Sequence, residues 1–366
     1  MLDALALLLA SIHFGVPIAY YLYAKTKWLP KPWNIKVDES YKPKVTIIIP
    51  TYNEAKVIGE RLNNIYEQDY SKEFMEVIVV DSASTDGTAE IVEEWFSKHK
   101  DLRLILIRES ERRGKAAALN RALREASGEV VVIADADALW PSNALTKVVE
   151  LLSDPSIGAV SCLKKPLGSS AAEIEEVYRQ YYNVLRVAES KAYSTPIFHG
   201  ELAAFKANLL KEIGGFPIDI GADDSYTASR IAIKGFRAII PEDLWVDERV
   251  PERSYFSWKV RRAQHLIQHF AKMLRTNGMP NEFKMVLLIE GYLHLVNPWL
   301  LTLVMAILLA LVILYHNLVA IIALALGLLL MAFKSYRAWI ATQLCLIVGA
   351  IKNLYSKEIV WVKHSK

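Results

Sequence analysis

The stretch VVVIADADALW, residues 130–140, joins a run of valine and isoleucine directly to two aspartates. The β-branched run predicts a buried strand, which ends at Asp135 and Asp137. Side chains two positions apart in an extended segment point to the same side, so both carboxylates would face one spot. Desolvation and mutual repulsion disfavour such a pair. We therefore expect a positive partner there, and the spacing suits Mg²⁺ or Mn²⁺ bound together with substrate phosphates.

The same alternation of short apolar runs and helical patterns fills a central polar region, about residues 42–250. The patterns predict strands at 44–50, 75–81, 102–107 and 129–135, and helices at 54–68, 88–98 and 115–126. Strands that alternate with helices form parallel sheets covered on both faces. The region is therefore predicted to be an α/β domain with a mostly parallel sheet, and ligands of such sheets bind beyond the carboxyl ends of the strands.

Polar and acidic residues follow three of the predicted strands. The motif PTYNE (50–54) follows the first strand, Asp81 and the turn SASTDGT follow the second, and Asp135 and Asp137 follow the fourth. A single aspartate after a strand usually caps a helix or shapes a turn. Three such sites that converge on one edge of the sheet indicate a ligand site instead.

Two further motifs place charged residues at predicted helix starts. RRGKAAALN (112–120) brings Lys115 near a helix N-terminus, where it suits a nucleotide or its phosphates; a solvated basic turn is the alternative. GADDSYTASRIAIKGF (221–236) begins a helix at Asp223 and Asp224. One aspartate there is explained as a cap, and the second indicates a catalytic carboxylate.

The hydrophobic fraction of 53% is high for a soluble enzyme, and the excess lies at the two ends of the chain. Residues 4–24 are nearly uncharged and long enough to cross a bilayer as a helix. They lack the basic start and the small-residue cleavage site of a signal peptide, so we expect an uncleaved anchor over residues 1–25. By the positive-inside rule, the catalytic region is cytoplasmic, because the anchor is followed by Lys25, Lys27, Lys31 and Lys36.

The C-terminal part is predicted to return to the membrane. Apolar segments at 285–313, 318–333 and 338–351 predict helices within 284–352; the last segment is short enough to be re-entrant or interfacial, so the side of the tail 353–366 stays open. Between the two regions, residues 251–283 contain the basic amphipathic pattern YFSWKVRRAQHLIQHFAKMLR, which is typical of a helix in a membrane interface. A helix packed on the side of the α/β domain is the alternative.

Charge and cysteine content give no support to nucleic-acid binding or to a disulfide. The net charge is only +3. The sequence has no basic block interleaved with aromatic residues, so nucleic-acid binding is not predicted. Cys162 lies in the polar middle and Cys345 in the apolar end, so we expect no disulfide between them, and their spacing is not of the metal-binding type; both features fit a reducing cytosol.

The motifs PTYNE, VIVVDSASTDGT, RGKAAALN, ADAD, EIGGFP and GADD occur in the order seen in family 2 glycosyltransferases. About residues 44–270 resemble that family, which implies a GT-A fold with a Rossmann-like sheet. The resemblance also implies an inverting, divalent-metal-dependent transfer from a nucleoside diphosphate sugar, with UDP favoured over GDP. On the donor side, it implies that Pro50, Tyr52 and Glu54 line the nucleoside pocket. It further implies that Asp81 hydrogen-bonds the base and that Lys115 holds the nucleotide.

The same resemblance implies roles for the acidic residues. Asp135 would lie near the ribose or the metal, Asp137 would bind the metal, and Asp224 would be the general base. Inversion by one displacement needs a base for the acceptor hydroxyl and a cation for the diphosphate leaving group, so the two acidic sites match the chemistry. Arg261 keeps the cation that would face the diphosphate.

The motifs that imply the donor site do not identify the class of acceptor. Processive family members, such as hyaluronan, chitin and cellulose synthases, carry Q-x-x-R-W on the interfacial helix, whereas residues 258–262 read WKVRR. We therefore expect transfer of one sugar to a membrane lipid, as in proteins similar to polyprenyl-phosphate glycosyltransferases or ceramide glucosyltransferase, with a processive synthase as the alternative. His199 and Glu201 either border the acceptor or are structural.

Two other classes fit less well. A nucleotidyltransferase would need a glycine-rich loop after the first strand, and no glycine lies between Lys44 and Gly59. A non-enzymatic membrane protein with a nucleotide-sensing domain would not need Asp224.

Overall fold

The structure is a computed structural model that describes residues 1–168 and 170–360. Residues 361–366, which belong to the predicted tail 353–366, lie outside the described residues. The strands are β1 (Val45–Thr51), β2 (Met75–Ser82), β3 (Arg103–Glu109), β4 (Val130–Ile133), β5 (Ala138–Leu139), β6 (Ile157–Ser161), β7 (Leu163–Leu167), β8 (Ala203–Lys206), β9 (Arg237–Ile239) and β10 (Trp245–Arg249).

The helices follow the strands in the α/β region and then fill both ends of the chain. They are α1 (Leu2–Tyr23), α2 (Ile58–Tyr66), α3 (Thr88–Lys98), α4 (Lys115–Leu123), α5 (Ala144–Ser153), α6 (Ser170–Ala192), α7 (Ala207–Glu212), α8 (Asp223–Ile233), α9 (Tyr255–Met273), α10 (Asn281–Leu295), α11 (Asn297–Tyr315), α12 (Leu318–Leu330) and α13 (Lys334–Lys352).

A seven-stranded sheet in the order β3-β2-β1-β4-β8-β6-β9 forms the centre of the molecule. The first four of these strands are parallel, as predicted, but β8 runs antiparallel to both β4 and β6. A second sheet, in the order β5-β10-β7, lies beyond it. The predicted mixed α/β class is thus confirmed, and β8 interrupts the parallel order of the sheet.

Alternate residues of the parallel strands face two separate apolar layers. Ile47 and Val132 pack on one side with Leu62 of α2, whereas Ile48 and Val131 pack on the other side. The opposite layer includes residues of α4 and α7. Because both faces are covered, the strands are continuous apolar runs rather than alternating ones. This explains why the runs of valine and isoleucine were readable from the sequence.

Apolar helices occupy the two ends of the chain. The described residues contain two helical segments long and apolar enough to cross a membrane, Leu2–Trp28 and Asn281–Tyr315. A third candidate is the pair Leu318–Leu330 and Lys334–Lys352, which is bent by 107°. Helices α1 and α11 pack together through Ala6, while large apolar side chains elsewhere on both helices stay exposed.

Helix α9 forms where the amphipathic pattern predicts it, and it contacts several other helices of the chain. It packs against α13, α10 and α8, and it buries polar side chains as well as apolar ones. Lys259 donates to Glu175 over 2.6 Å, and Gln268 donates to Asn353 over 2.8 Å. Much of the polar stripe therefore faces protein partners between the α/β domain and the C-terminal helices, and the position of the helix at a membrane interface stays a prediction.

Candidate active site

A cavity of about 560 Å³ opens beyond the carboxyl ends of β1, β2 and β4 and continues between α6, α9 and α13. It brings together most of the residues singled out in the sequence. The lining includes Pro50, Tyr52, Glu54, Lys115, Asp135, Asp137, His199, Glu201, Asp224 and Arg261. Side chains more than 200 positions apart in sequence thus share one cavity, at the edge of the sheet where parallel α/β folds bind ligands.

Asp81 takes a different position from the other residues of this set. Its neighbour Ser82 lines the cavity, whereas Asp81 is buried and is not among the described residues that line it. Its carboxylate accepts from the Thr51 hydroxyl over 3.4 Å and from the Ser84 backbone N–H over 3.2 Å. In this arrangement Asp81 joins the loops that follow β1 and β2, so its contact with a base remains a prediction.

The loop after β1 presents an aromatic ring to the cavity. The Tyr52 ring is covered by the Arg112 guanidinium, whose central carbon lies 3.9 Å from the ring centroid. A guanidinium over an aromatic face is an electrostatically favourable stack. Arg112 was not singled out in the sequence, because its partner lies 60 positions earlier and no local pattern links the two.

Asp135 and Asp137 reach the same cavity through a turn rather than through an extended strand. Strand β4 ends at Ile133, and residues 136–137 form a turn. The expected positive partner of Asp135 is Lys115, whose Nζ lies 2.6 Å from the carboxylate. Burial opposes the charged form of Lys115, but Asp135 and the neighbouring carboxylates outweigh it and raise the pKa of the ammonium group.

Two glycines shape this corner of the site. Gly114 has a φ of 98°, a left-handed conformation that lets the chain turn sharply into α4 and brings Lys115 to the sheet edge. A Cβ on Gly200 would overlap the Lys115 ammonium group and would lie 3.3 Å from an Asp135 carboxylate oxygen. A side chain at position 200 would therefore displace the Lys115 ammonium group, because the ion pair packs directly on the Gly200 backbone.

Asp223 and Asp224 begin helix α8 and line the cavity opposite the β4 turn. Burial raises the pKa of Asp223 to about 7, with Lys115, 3.9 Å away, opposing the shift. Burial also raises the pKa of Asp224, whose carboxylate accepts from the Ser225 backbone N–H over 2.6 Å. Carboxylates with raised pKa values in a cavity are suited to proton transfer.

A buried network of charges surrounds Glu201 at the cavity wall, and its other members, Lys164, Glu248 and Arg262, were not singled out in the sequence. Lys164 donates to Glu201 over 2.9 Å and to Glu248 over 2.8 Å, and Arg262 contacts both carboxylates. Burial opposes ionisation of Glu248, yet Arg262 and Lys164 lower its pKa to about 2. The strand β10 and the helix α9 supply Glu248 and Arg262, so only the tertiary fold brings the charges together.

Helix α9 and the C-terminal segment close one side of the cavity. Arg261 lines it, and burial together with the charge of Arg262 lowers the pKa of Arg261 to about 10. His265 Nε2 lies 3.3 Å from the Glu358 backbone oxygen. The segment after α13 therefore runs along α9 beside the cavity.

The carboxylates of Asp135 and Asp137 fit a divalent cation that takes few protein ligands. Within the described residues, no cluster of three or more His, Cys, Asp or Glu side chains is arranged to hold a metal. Mg²⁺ and Mn²⁺ sites of the nucleotide-binding type need only one or two carboxylates, because substrate phosphates and water complete the shell. The donor set present here matches that type and does not match a site built by protein alone.

Comparison with known proteins gives a consistent picture. The family model described as glycosyl transferase family 2 matches residues 46–214. A solved mannosyltransferase from Pyrobaculum calidifontis, in complex with GDP-Man and Mn²⁺, is 54% identical; the alignment covers 98% of this chain and 100% of that chain, with a TM-score of 0.91.

Curated relatives are more distant. A poly-β-1,6-N-acetyl-D-glucosamine synthase of Staphylococcus epidermidis is 27% identical over 218 residues, which is 58% of this chain and 52% of the relative, so the chain spans about half the length of that relative. The synthase of the same name from Staphylococcus aureus strain COL is 26% identical over 74% of this chain and 67% of the relative.

Proposed function

This chain belongs to glycosyl transferase family 2, and from that premise we propose that it moves one hexose from a nucleoside diphosphate sugar to a membrane-held acceptor, with inversion. The observation that carries the proposal is the meeting of Asp137, Asp224 and Lys115 around one cavity at the carboxyl edge of the sheet. Such a cavity provides separate places for a charged leaving group and for a proton acceptor, the two requirements of an inverting transfer.

Each side chain has a role in this proposal. Lys115 and Arg261 bring positive charge to the side where the diphosphate would lie, and Asp137 would hold the divalent cation with help from Asp135. When bound, Mg²⁺ or Mn²⁺ would stabilise the negative charge on the leaving diphosphate. Asp224 takes the proton of the attacking hydroxyl, and its raised pKa makes it a stronger proton acceptor than an ordinary carboxylate.

We propose GDP-mannose as the donor, although the sequence resemblance alone favoured UDP. The relative solved with GDP-Man and Mn²⁺ is 54% identical over nearly the whole chain. This similarity supports a GDP-linked donor more strongly than the donor most common in a broad family supports UDP. The stack of Arg112 on Tyr52 is a suitable wall for the base. Calorimetry with GDP and UDP, each with Mn²⁺, tests this point; tighter binding of UDP would contradict it.

We place the acceptor and the enzyme at a membrane because the exposed faces of α1, α11 and α12 are rich in leucine and isoleucine. With Lys25 and Lys27 after the first helix, the catalytic cavity would face the cytoplasm. Membrane-fraction analysis of the expressed protein and protease accessibility of the α/β domain in inverted vesicles test this placement.

A processive polysaccharide synthase is the second candidate function. The poly-N-acetylglucosamine synthases of staphylococci support it as distant relatives. The segment WKVRR at 258–262 and the few candidate spans favour single transfer instead. Product analysis by mass spectrometry separates the two functions, since a processive enzyme gives a ladder of additions and a single transfer gives one.

A further inference from the structure

The cavity continues past Asp224 into a chamber whose lining residues have no role in the proposed function. We define this chamber by one face of α6, which contributes Tyr178, Arg179, Tyr182 and Asn183, and by His199 after the helix. The α6 residues recur at spacings of three and four, so they form one stripe along the helix. Helices α9, α10 and α13 close the other sides, so the chamber lies between the catalytic residues and the candidate membrane helices.

The chamber wall carries buried polar atoms that lack partners. Within the described residues, three buried atoms of this wall have no hydrogen-bond partner: Arg179 Nε, Asn183 Oδ1 and His199 Nε2. Each of these residues is more than nine-tenths buried, so bulk water does not reach the atoms. An unsatisfied buried polar group costs about 1–3 kcal/mol, so native proteins rarely keep three in one place. Three such atoms on one wall indicate that a ligand completes them.

The chemistry of these atoms selects among ligand classes. Arg179 Nε needs an acceptor and Asn183 Oδ1 needs a donor, because the Asn183 amide nitrogen already donates to the Lys164 carbonyl oxygen. Burial, together with Lys164, lowers the pKa of His199, so its neutral ring can donate or accept. Sugar hydroxyl groups both donate and accept, and they satisfy all three. An alkyl chain satisfies none, and a phosphate dianion offers no proton to Asn183.

The charges around the chamber also disfavour an anion. Arg179 is paired with Glu175 over 2.9 Å and with Glu248 over 3.2 Å, and Lys259 is paired with Glu175 over 2.6 Å. These cations already have counterions, and Glu175 itself lines the wall. An added phosphate would meet a carboxylate, whereas a neutral polyol would not. The ring of Tyr182, whose centroid lies 4.4 Å from that of Tyr178, adds aromatic surface for sugar C–H groups, whereas the Tyr178 ring is already covered by the Lys259 ammonium group, 3.6 Å from its centroid.

We propose that this chamber is a saccharide subsite, which holds a sugar of the acceptor with one hydroxyl directed at Asp224. The acceptor is then a glycosylated membrane molecule, and the enzyme consumes the product of an earlier glycosyl transfer. In the step, the acceptor oxygen forms a bond to the anomeric carbon while the bond from that carbon to the diphosphate oxygen breaks. The diphosphate leaves with the electron pair, and Asp224 takes the proton. This inference rests on the proposed function.

An acceptor panel with the purified full chain tests the inference. The assay contains Mn²⁺ and GDP-mannose, and the acceptor is octyl α-D-mannopyranoside, octyl β-D-glucopyranoside, decan-1-ol or dodecyl phosphate. We expect mannosyl transfer to at least one glycoside and none above background to decanol or dodecyl phosphate. Transfer to decanol or dodecyl phosphate at a rate equal to that of the better glycoside would overturn the subsite. Nucleotide binding, measured separately by calorimetry, reports on the proposed function. No nucleotide binding would refute that function. Nucleotide binding together with equal transfer to decanol or dodecyl phosphate would refute only the saccharide subsite.

Variants in the chamber give a second test. Asn183→Leu and His199→Phe keep side-chain size and remove the unpartnered atoms, so we expect the KM for the accepted glycoside to rise about tenfold and about fivefold respectively. Gln180→Leu, on the exposed side of the same helix, is the matched control and should stay within twofold. If Asn183→Leu fails to fold, His199→Phe decides alone. Unchanged KM values in the folded chamber variants would refute the subsite.

Discussion

Replacing Asp224 by asparagine tests the assignment of the general base. The Asp224 carboxylate oxygen that accepts from the Ser225 N–H over 2.6 Å and from the Ser225 hydroxyl over 3.2 Å has a counterpart in the asparagine amide oxygen. The substitution therefore keeps the start of α8 and removes the proton acceptor only. General base catalysis contributes about 10²–10⁴-fold, so kcat should fall by that factor, or about 3–5 kcal/mol in barrier height.

Asp223→Asn is the matched control, because it makes the same change one residue earlier. Asp223 lies 3.9 Å from Lys115, and burial raises its pKa to about 7, so the side chain is about half protonated at neutral pH. We expect its kcat to fall by less than about tenfold, because Asp223 acts through its contact with Lys115 and not as the base. Single-turnover rates with saturating GDP-mannose and Mn²⁺ measure both variants, with nucleotide affinity by calorimetry as the check on folding. A larger loss in Asp223→Asn than in Asp224→Asn would show that the roles are reversed.

Three other predictions follow from the geometry. Gly200→Ala should expel the Lys115 ammonium group from its place and lower the free energy of unfolding by about 1–3 kcal/mol, seen as a lower melting temperature; an unchanged melt contradicts the close packing. Because burial raises the pKa of Asp224, the base becomes protonated at a higher pH than an exposed aspartate would, and kcat should fall as the pH is lowered; a flat profile excludes it as the base. Lys164→Met leaves Glu248 with fewer counterions and should cost about 3 kcal/mol in denaturant unfolding, whereas a neutral effect would show that the buried network is dispensable.

The sequence predicted those features that depend on local patterns. Mostly apolar runs and the turn residues at their ends identified β1–β4 and the sheet edge, because strands covered on both faces carry few polar residues; the edge strand β3 is only partly buried. Most of the residues named at that edge line the cavity. The roles of those residues in binding and catalysis stay predictions.

Other features depend on contacts between distant segments and left no local signal. Strand β8 pairs antiparallel between β4 and β6, and nothing in its short apolar sequence states its direction or neighbours. The pattern of α9 showed two different faces, but periodicity does not tell whether water, lipid or protein covers the polar one. Lys164 and Glu248 looked like ordinary surface charges because their pairing depends on the fold.

The most direct test of the whole account is calorimetric titration of GDP into the purified chain, with and without Mn²⁺, in the wild type and in Asp137→Ala. We expect Mn²⁺ to tighten GDP binding by at least tenfold in the wild type and to have almost no effect in Asp137→Ala, because that carboxylate would anchor the cation against the diphosphate. Equal dependence on Mn²⁺ in the two proteins, or no binding of GDP by the wild type, would contradict it.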